Sequence, residues 1–164
     1  MIDPVIPPAG VWETINLKGK PKAIYLTNKH HTRKSVQFKE KYLSPIWIHE
    51  ADKPLMEIPA DKTFQDGEFL DGGFEVIQIK DNKTPGESAF HLNRGNGIMI
   101  LGDALIGHPS GELHLLPPPK ISNPEKAKMG LKRLFDYSFD VLLLGDGTSI
   151  LKEAKKSVEK FLKA

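Results

Sequence analysis

The residues best equipped for chemistry gather in one stretch, Thr27-Asn28-Lys29-His30-His31-Thr32-Arg33. A histidine ring titrates near neutral pH and, when neutral, offers a lone pair to a metal. An adjacent arginine adds a fixed charge with the geometry to bind carboxylates and phosphates. The stretch could therefore hold a metal, move a proton or bind an anion, or it could be the basic, solvated start of a helix. Three more polar stretches carry reactive types: Lys83-Thr84-Pro85-Gly86-Glu87, Gly102-Asp103 and Gly145-Asp146-Gly147. Taken singly, each reads as a turn. Glu87 and Glu112 are carboxylates with general-base chemistry, although nothing in the sequence positions them.

Each of these stretches follows or joins an apolar run. Ala23 to Leu26 predicts a strand before the histidine loop, and the pattern from Thr32 to Leu43 is helical until Ser44-Pro45 stops it. Pro45 to His49 reads as a short buried strand, and residues 50–63 as a short helix and loop broken by Pro54 and Pro59. Phe74 to Ile79 alternates as a strand does. Ser88–Leu92 and Gly97–Leu101 flank Asn93-Arg94-Gly95-Asn96 and predict a hairpin. A short strand is expected at Glu112 to Leu116, ahead of three consecutive prolines. Pro124 opens a helix with a stripe of Ala127, Leu131, Leu134 and Phe135. Val141 to Leu144 is a buried strand. Ser149 is expected to cap a last helix that lines the core with Ile150, Leu151, Ala154, Val158, Phe161 and Leu162. A strand that breaks into a polar loop before a helix puts its polar residues at the end of a sheet, where open α/β folds build sites.

Composition narrows the function classes. The 164 residues predict one domain spanning 1–164, with no repeat or linker. A net charge of +2, from 23 basic and 21 acidic residues, gives no case for nucleic acid or an acidic membrane as partner. Without cysteine there is no disulfide, thiol catalysis or Cys-based metal site. No apolar run approaches the roughly 18 residues of a membrane span, and a cytoplasmic location is the expectation. His49, His91, His108 and His114 match no motif, and a structural role is expected for His49.

The order and spacing of the four loops resemble the metallo-β-lactamase superfamily. That family runs Asp-Pro after a strand, then Thr-His-x-His-x-Asp-His, a Gly-His-Thr-Pro-Gly turn, Gly-Asp after a strand, and a late Gly-His-Gly. Here Ile2-Asp3-Pro4 matches the first, Thr27 to Arg33 occupies the histidine loop, Asn82 to Gly86 matches the turn, Gly102-Asp103 the bridging aspartate, and Gly145 to Gly147 the last motif. The resemblance covers essentially the whole chain. It implies an α/β (α+β) fold, a metallo-β-lactamase-like αββα sandwich. The fold would be N-terminally shortened, since the family places strands before its Asp-Pro. A shortened first sheet would expose an edge and invite a homodimer.

The departures bear on function. By resemblance, the family's loop ligands fall on Asn28, His30, Thr32 and Arg33, its middle histidine on Lys83 and its late histidine on Asp146. Only His30 and Asp103 keep a family ligand type. Zinc needs three or four lone-pair donors, and cationic side chains supply none. The expectation is a site without the dinuclear zinc, and so without the hydroxide that hydrolysis in this family relies on. Arg33 and Lys83 would neutralise Asp103 and Asp146, with Asn28, His30, His31, Thr32 and Glu87 completing a pocket for a small anion. No cofactor is expected. The alternative is a residual hydrolase with a single divalent metal on His30, Asp103 and Asp146; a base at His31 or Glu87 without metal ranks last.

Overall fold

Period-2 apolar patterning decides how this chain layers. In the computed structural model, which describes residues 1–8 and 10–164, a helix α1 (Val11–Lys18) precedes strand β1 (Ile24–Tyr25). Helix α2 (Ser35–Tyr42) and strands β2 (Ile46–His49) and β3 (Lys62–Phe64) follow. Then come β4 (Phe69–Leu70), β5 (Phe74–Gln78), β6 (Ser88–Leu92), β7 (Ile98–Leu101), α3 (Pro124–Leu131), β8 (Val141–Leu144) and α4 (Ala154–Lys163).

The strands form two sheets, β1-β2-β3 and β4-β5-β6-β7-β8. The first is parallel throughout; in the second only β7 and β8 run parallel. Successive side chains of a strand face opposite ways, so the sheets have two apolar faces each. Val76, Phe90 and Ile100 point between the sheets, where they meet Tyr25 and Phe64. Their neighbours Ile77, Ala89, Met99 and Leu101 point outward onto Leu131 of α3 and Ala154 and Val158 of α4. Ile24, Leu26, Ile46 and Ile48 pack on Phe38 of α2 and Trp12 of α1. The result is an αββα sandwich.

Several local expectations change. The 112–116 stretch forms only an isolated bridge, His114 to Ile106. Pro117, Pro118 and Pro119 lack the N–H groups that a longer ladder would need. The 50–63 stretch holds a 3₁₀ turn at Lys53–Leu55 and, instead of staying a loop, ends by entering β3. The stripe of the third helix ends its α part at Leu131 and carries Leu134 and Phe135 in a 3₁₀ turn. Ser149 does not cap the last helix: its Oγ accepts from Leu144 N–H at 3.1 Å, while Ile150 exchanges two backbone hydrogen bonds with Leu142. Glu153, with φ of +55°, stands between that bridge and α4, and Leu151 is 70% exposed instead of lining the core.

The first sheet has three strands, and residues 1–3 lie along β1. Tyr25 N–H donates to Met1 O (2.8 Å) and Asp3 N–H to Tyr25 O (3.1 Å). The same end of both sheets then collects the loops: β1 runs into Thr27, β2 into Asp52, β7 into Asp103 and β8 into Gly145, while Glu87 leads into β6. Ser88 N–H donating to Thr27 O (2.8 Å) ties the two sheets there.

Candidate functional site

The site grows from Asp3. Its carboxylate accepts from Thr27 N–H (2.9 Å) and Thr27 Oγ1 (2.6 Å), and from His31 Nδ1 (2.8 Å). Asp3 has a φ of +41°, a left-handed backbone that costs a non-glycine residue about 1–3 kcal/mol, and this aims its side chain back under β1. Asp3 thereby fixes the His31 ring with Nε2 3.3 Å from Asp103 Oδ1. The other oxygen of Asp103 takes Lys83 Nζ at 2.6 Å and Asn28 Nδ2 at 3.3 Å. Asp3, Asn28, His31 and Asp103 are all buried.

Close approach of the loops needs Gly102. A Cβ there would collide with Thr27 Oγ1 and reach Asn28 Nδ2 at 3.2 Å, so any larger residue would push Asp103 out of the cluster. Behind it, Glu87 is fully buried; its Oε1 accepts from Asp103 N–H (3.1 Å) and Asn28 Nδ2 (3.3 Å), and its Oε2 has no partner.

These contacts set the protonation states. Burial alone would depress His31, but hydrogen bonds to Asp103 and Asp3 and their charges raise its pKa to about 9. Burial would raise Asp103; hydrogen bonds from His31 and Lys83 outweigh it and hold the carboxyl well below the usual carboxylate range. Glu87 moves the other way: burial, reinforced by the Asp103 charge, pushes it up to about 8 over the opposing hydrogen bonds from Asn28 and the Asp103 amide. At neutral pH the cluster is an imidazolium, an ammonium, two aspartates and an uncharged glutamic acid.

Other residues singled out from the sequence sit at its rim. Thr32 is half-buried, and His30 is exposed with its N–H bonded to Asn28 Oδ1 (2.9 Å). Partial burial and the Lys83 and Lys29 charges lower the pKa of His30. Arg33, also at a φ of +41°, donates from Nη2 to Gly145 O (3.1 Å). Its Nη2 lies 3.3 Å from His31 Nε2, but a protonated ring has no lone pair to accept with, and Nε2–H is left to Asp103. Of the two cations expected to neutralise Asp103 and Asp146, Lys83 takes Asp103. Asp146 is exposed and lies 3.8 Å from exposed His108. Glu112 is exposed beside His114 (3.2 Å) and stands apart from Glu87. His49 is buried against Phe64, accepting Ala51 N–H at Nδ1 (3.2 Å).

Asp52 belongs to the site although no motif in the sequence marks it. Fully buried, it accepts from Lys29 N–H (2.9 Å), Thr84 Oγ1 (2.8 Å) and Gly86 N–H (2.8 Å), so one carboxylate clamps two of the four loops. The available signal was an aspartate just past a buried strand, facing a Thr-Pro-Gly turn whose glycine leaves room for it: a Cβ on Gly86 would come within 2.7 Å of the Asp52 carboxyl carbon. Asp3 was visible only as part of an Asp-Pro motif.

The donor set does not suit a pair of metal ions. Both His31 nitrogens point at carboxylates, both Asp103 oxygens accept N–H groups, and Asn28 turns its NH₂ toward Asp103. Lone pairs that would bind a cation are already taken. Among the described residues, no three His, Asp or Glu side chains are placed to hold a metal ion. No helix among them is long and apolar enough to cross a membrane.

The comparisons agree with the architecture. The structure of TTHA1623 in a di-iron-bound form superposes with a TM-score of 0.72 at 24% identity, covering 95% of this chain and 86% of that one. The BLEG-1 B3 metallo-beta-lactamase superposes at 0.76 with 15% identity, covering 99% and 88%. At these identities the likeness is one of fold. The uncharacterized protein YmaE of Bacillus subtilis (strain 168) is 29% identical over 99 residues, 57% of this chain; the matched stretch spans 36% of YmaE. A family model described as metallo-beta-lactamase superfamily matches residues 1–164. With two aspartates, a late Gly-Asp-Gly and the sandwich all in that family's order, this chain belongs to the metallo-beta-lactamase superfamily.

Proposed function

We propose that this chain is a superfamily member without dinuclear-metal hydrolysis, in which tethered cations hold the loops together and the rim takes up a small anion. The observation that carries this is the Lys83 ammonium, 2.6 Å from the aspartate in the family's bridging position, with the His31 imidazolium on its other oxygen. Divalent ions in that position would have to displace both. His31 and Lys83 are paired with Asp3 and Asp103, and Glu87 is kept uncharged, while Arg33 has no carboxylate within 4 Å among the described residues. Exposed Arg33 has a planar fork with donors beyond the one given to Gly145 O, which an anion at the rim can take.

The competing reading is a hydrolase around one divalent ion on His30, Asp103 and Asp146. It requires Asp103 to exchange its cationic neighbours for the ion, and Asp146 to leave His108. One experiment separates the two. Metal analysis of the purified protein, with ester and phosphodiester screens with and without zinc or manganese, is expected to give substoichiometric metal and no metal-dependent turnover. Turnover that needs metal and vanishes in Asp103→Ala would overturn the proposal. For the anion, inorganic phosphate is expected to raise the Tm of the wild type and not of Arg33→Ala; equal shifts would remove Arg33 from the site.

A further inference from the structure

Strand register builds a second row of polar side chains at the opposite end of the second sheet from the charge cluster. On the outer face of that sheet Phe69 stands opposite Glu75, and Glu75 opposite His91. The row continues into Met99, which is buried in the core with Leu131 and Val158. Its outer half is walled instead by residues 136–138, and a cavity of about 290 Å³ is left between them, near the lower bound of small-molecule sites. The close approach of that segment needs Gly97, where a Cβ would collide with Ser138 O.

The walls offer acceptors. His91 is only 6% exposed, and its Nε2–H donates to Ser138 O (2.9 Å). The neutral ring then carries its lone pair on Nδ1. That atom has no partner among the described residues and is not enclosed by them, so it is offered to the cavity that His91 lines. Glu75 is half-buried; its Oε1 accepts from Tyr137 OH (3.0 Å), which leaves Oε2 free. Asp136 adds an exposed carboxylate at the rim, and among the described residues no lysine or arginine lines the cavity. Arg133, beside Tyr137, is bound to Asp66 at 2.7 Å, and Lys155 gives its ammonium to the carbonyls of Phe135 (2.8 Å) and Tyr137 (2.7 Å). The apolar surface comes from Tyr137, its ring centroid 5.1 Å from that of His91, and from Phe69, 71% exposed. A buried imidazole whose unused atom is a lone pair, beside a carboxylate that is oriented and not neutralised, is complementary to a positively charged donor.

We propose that this cavity binds a small primary amine as its ammonium ion, with the charged head on His91 Nδ1 and Glu75 Oε2 and the hydrocarbon body against Tyr137 and Phe69. Asp136 adds negative charge at the rim. The site shares no residue with the cluster around Asp103. The head gains charge-assisted hydrogen bonds and the attraction of the ring faces, and the body gains by leaving water. A metal ion does not fit: among the described residues no three His, Asp or Glu side chains are placed to hold one. Ligands must close to about 2.1 Å around zinc, whereas an N–H donor spans about 2.9 Å.

Isothermal titration of the full chain with phenethylamine, phenethyl alcohol and phenylpropionate presents one ring with a cationic, a neutral and an anionic head. Saturable binding of the amine is expected, with the alcohol and the carboxylate far weaker. Glu75→Gln keeps an acceptor for Tyr137 OH and is expected to weaken amine binding roughly tenfold or more, equivalent to about 1.4 kcal/mol, while Arg33→Ala leaves it unchanged. An unchanged circular dichroism spectrum and Tm will show that the variant folds. Phe69→Ser, at an exposed position, is a second variant expected to weaken binding by removing the apolar contact. In NMR spectra of protein carrying nitrogen-labelled histidine, the Nδ1 signal of His91 is expected to move on titration while those of His30 and His31 stay in place. No amine binding, binding unaffected by Glu75→Gln, an alcohol that binds as well as the amine, or a His91 signal that does not move would each overturn the proposal.

Discussion

Replacing Lys83 by methionine keeps the bulk of the side chain and deletes the ammonium that Asp103 contacts at 2.6 Å. Both side chains are shielded, at 17% and 8% exposure, so solvent does not take over the lost interaction. Removing one partner of a buried ion pair costs about 3–5 kcal/mol. Asp103 keeps His31 and Asn28 at 3.3 Å, which puts the expected loss at the lower end, about 3 kcal/mol. For a chain of this size that is a fall in Tm of roughly 6–12 °C. Urea unfolding of the wild type, Lys83→Met, Asp103→Asn and the double variant measures it. The double variant should lose less than the sum of the singles, by at least about 1.5 kcal/mol, since its pair is removed whole. A Lys83→Met loss within about 0.5 kcal/mol of zero, or additive singles, would refute the idea that Lys83 holds this site together.

Stability should also track pH through three groups. His31 and Glu87 both have raised pKa values in the folded chain, so their contributions are whole below their unfolded values, 6.5 and 4.5, and are lost as pH rises through about 9 and about 8. Asp103, depressed in the fold, contributes above 3.8 and loses that contribution as pH falls. Thermal unfolding against pH should therefore peak at about pH 4, between the unfolded values of Asp103 and Glu87, and decline toward pH 9 by an amount on the order of several kcal/mol. Glu87→Gln, uncharged throughout, should flatten that decline; a profile identical to wild type would contradict the assignment. Asp52→Ala strands two buried amides at about 1–3 kcal/mol each. It should cost about 3 kcal/mol or more and speed hydrogen exchange at Lys29 and Gly86, with Asp52→Asn milder because it keeps one acceptor.

The layers were legible because β5 largely alternates, because the apolar runs of β6 and β7 flank a turn, and because helix α3 carries a stripe and a proline start. Loop order pointed to the right end of the sheets. What escaped the sequence was pairing. Asp52 bonds residues 23 and 34 positions away, and no local pattern announces such a partner. Of the adjacent histidines, the resemblance favoured His30 as the retained ligand type, whereas the buried ring is His31, since the turn at Asn28 sends one ring to solvent and the next to Asp3. The capping role expected of Ser149 failed for a related reason: Ile150 gains more by bridging to Leu142 than by starting a helix.

The cluster around Asp103 joins residues distant in sequence. Asn28 meets Asp103 across 75 positions and Glu87 across 59. Contacts of such separation require loop closure first, and the partners lie on loops of different sheets. The charges therefore come together after the sheets have docked, and stay hydrated until then. Weakening the contacts that cross between the sheets consequently acts on the lifetime of the folded chain: variants at Asn28 or His31 are expected to speed unfolding and leave the folding rate almost unchanged, as positions not yet formed in the transition state do. The hydrogen bonds that cross from the first sheet to Asp103 come from Asn28 and His31, so they last as long as the two sheets stay together.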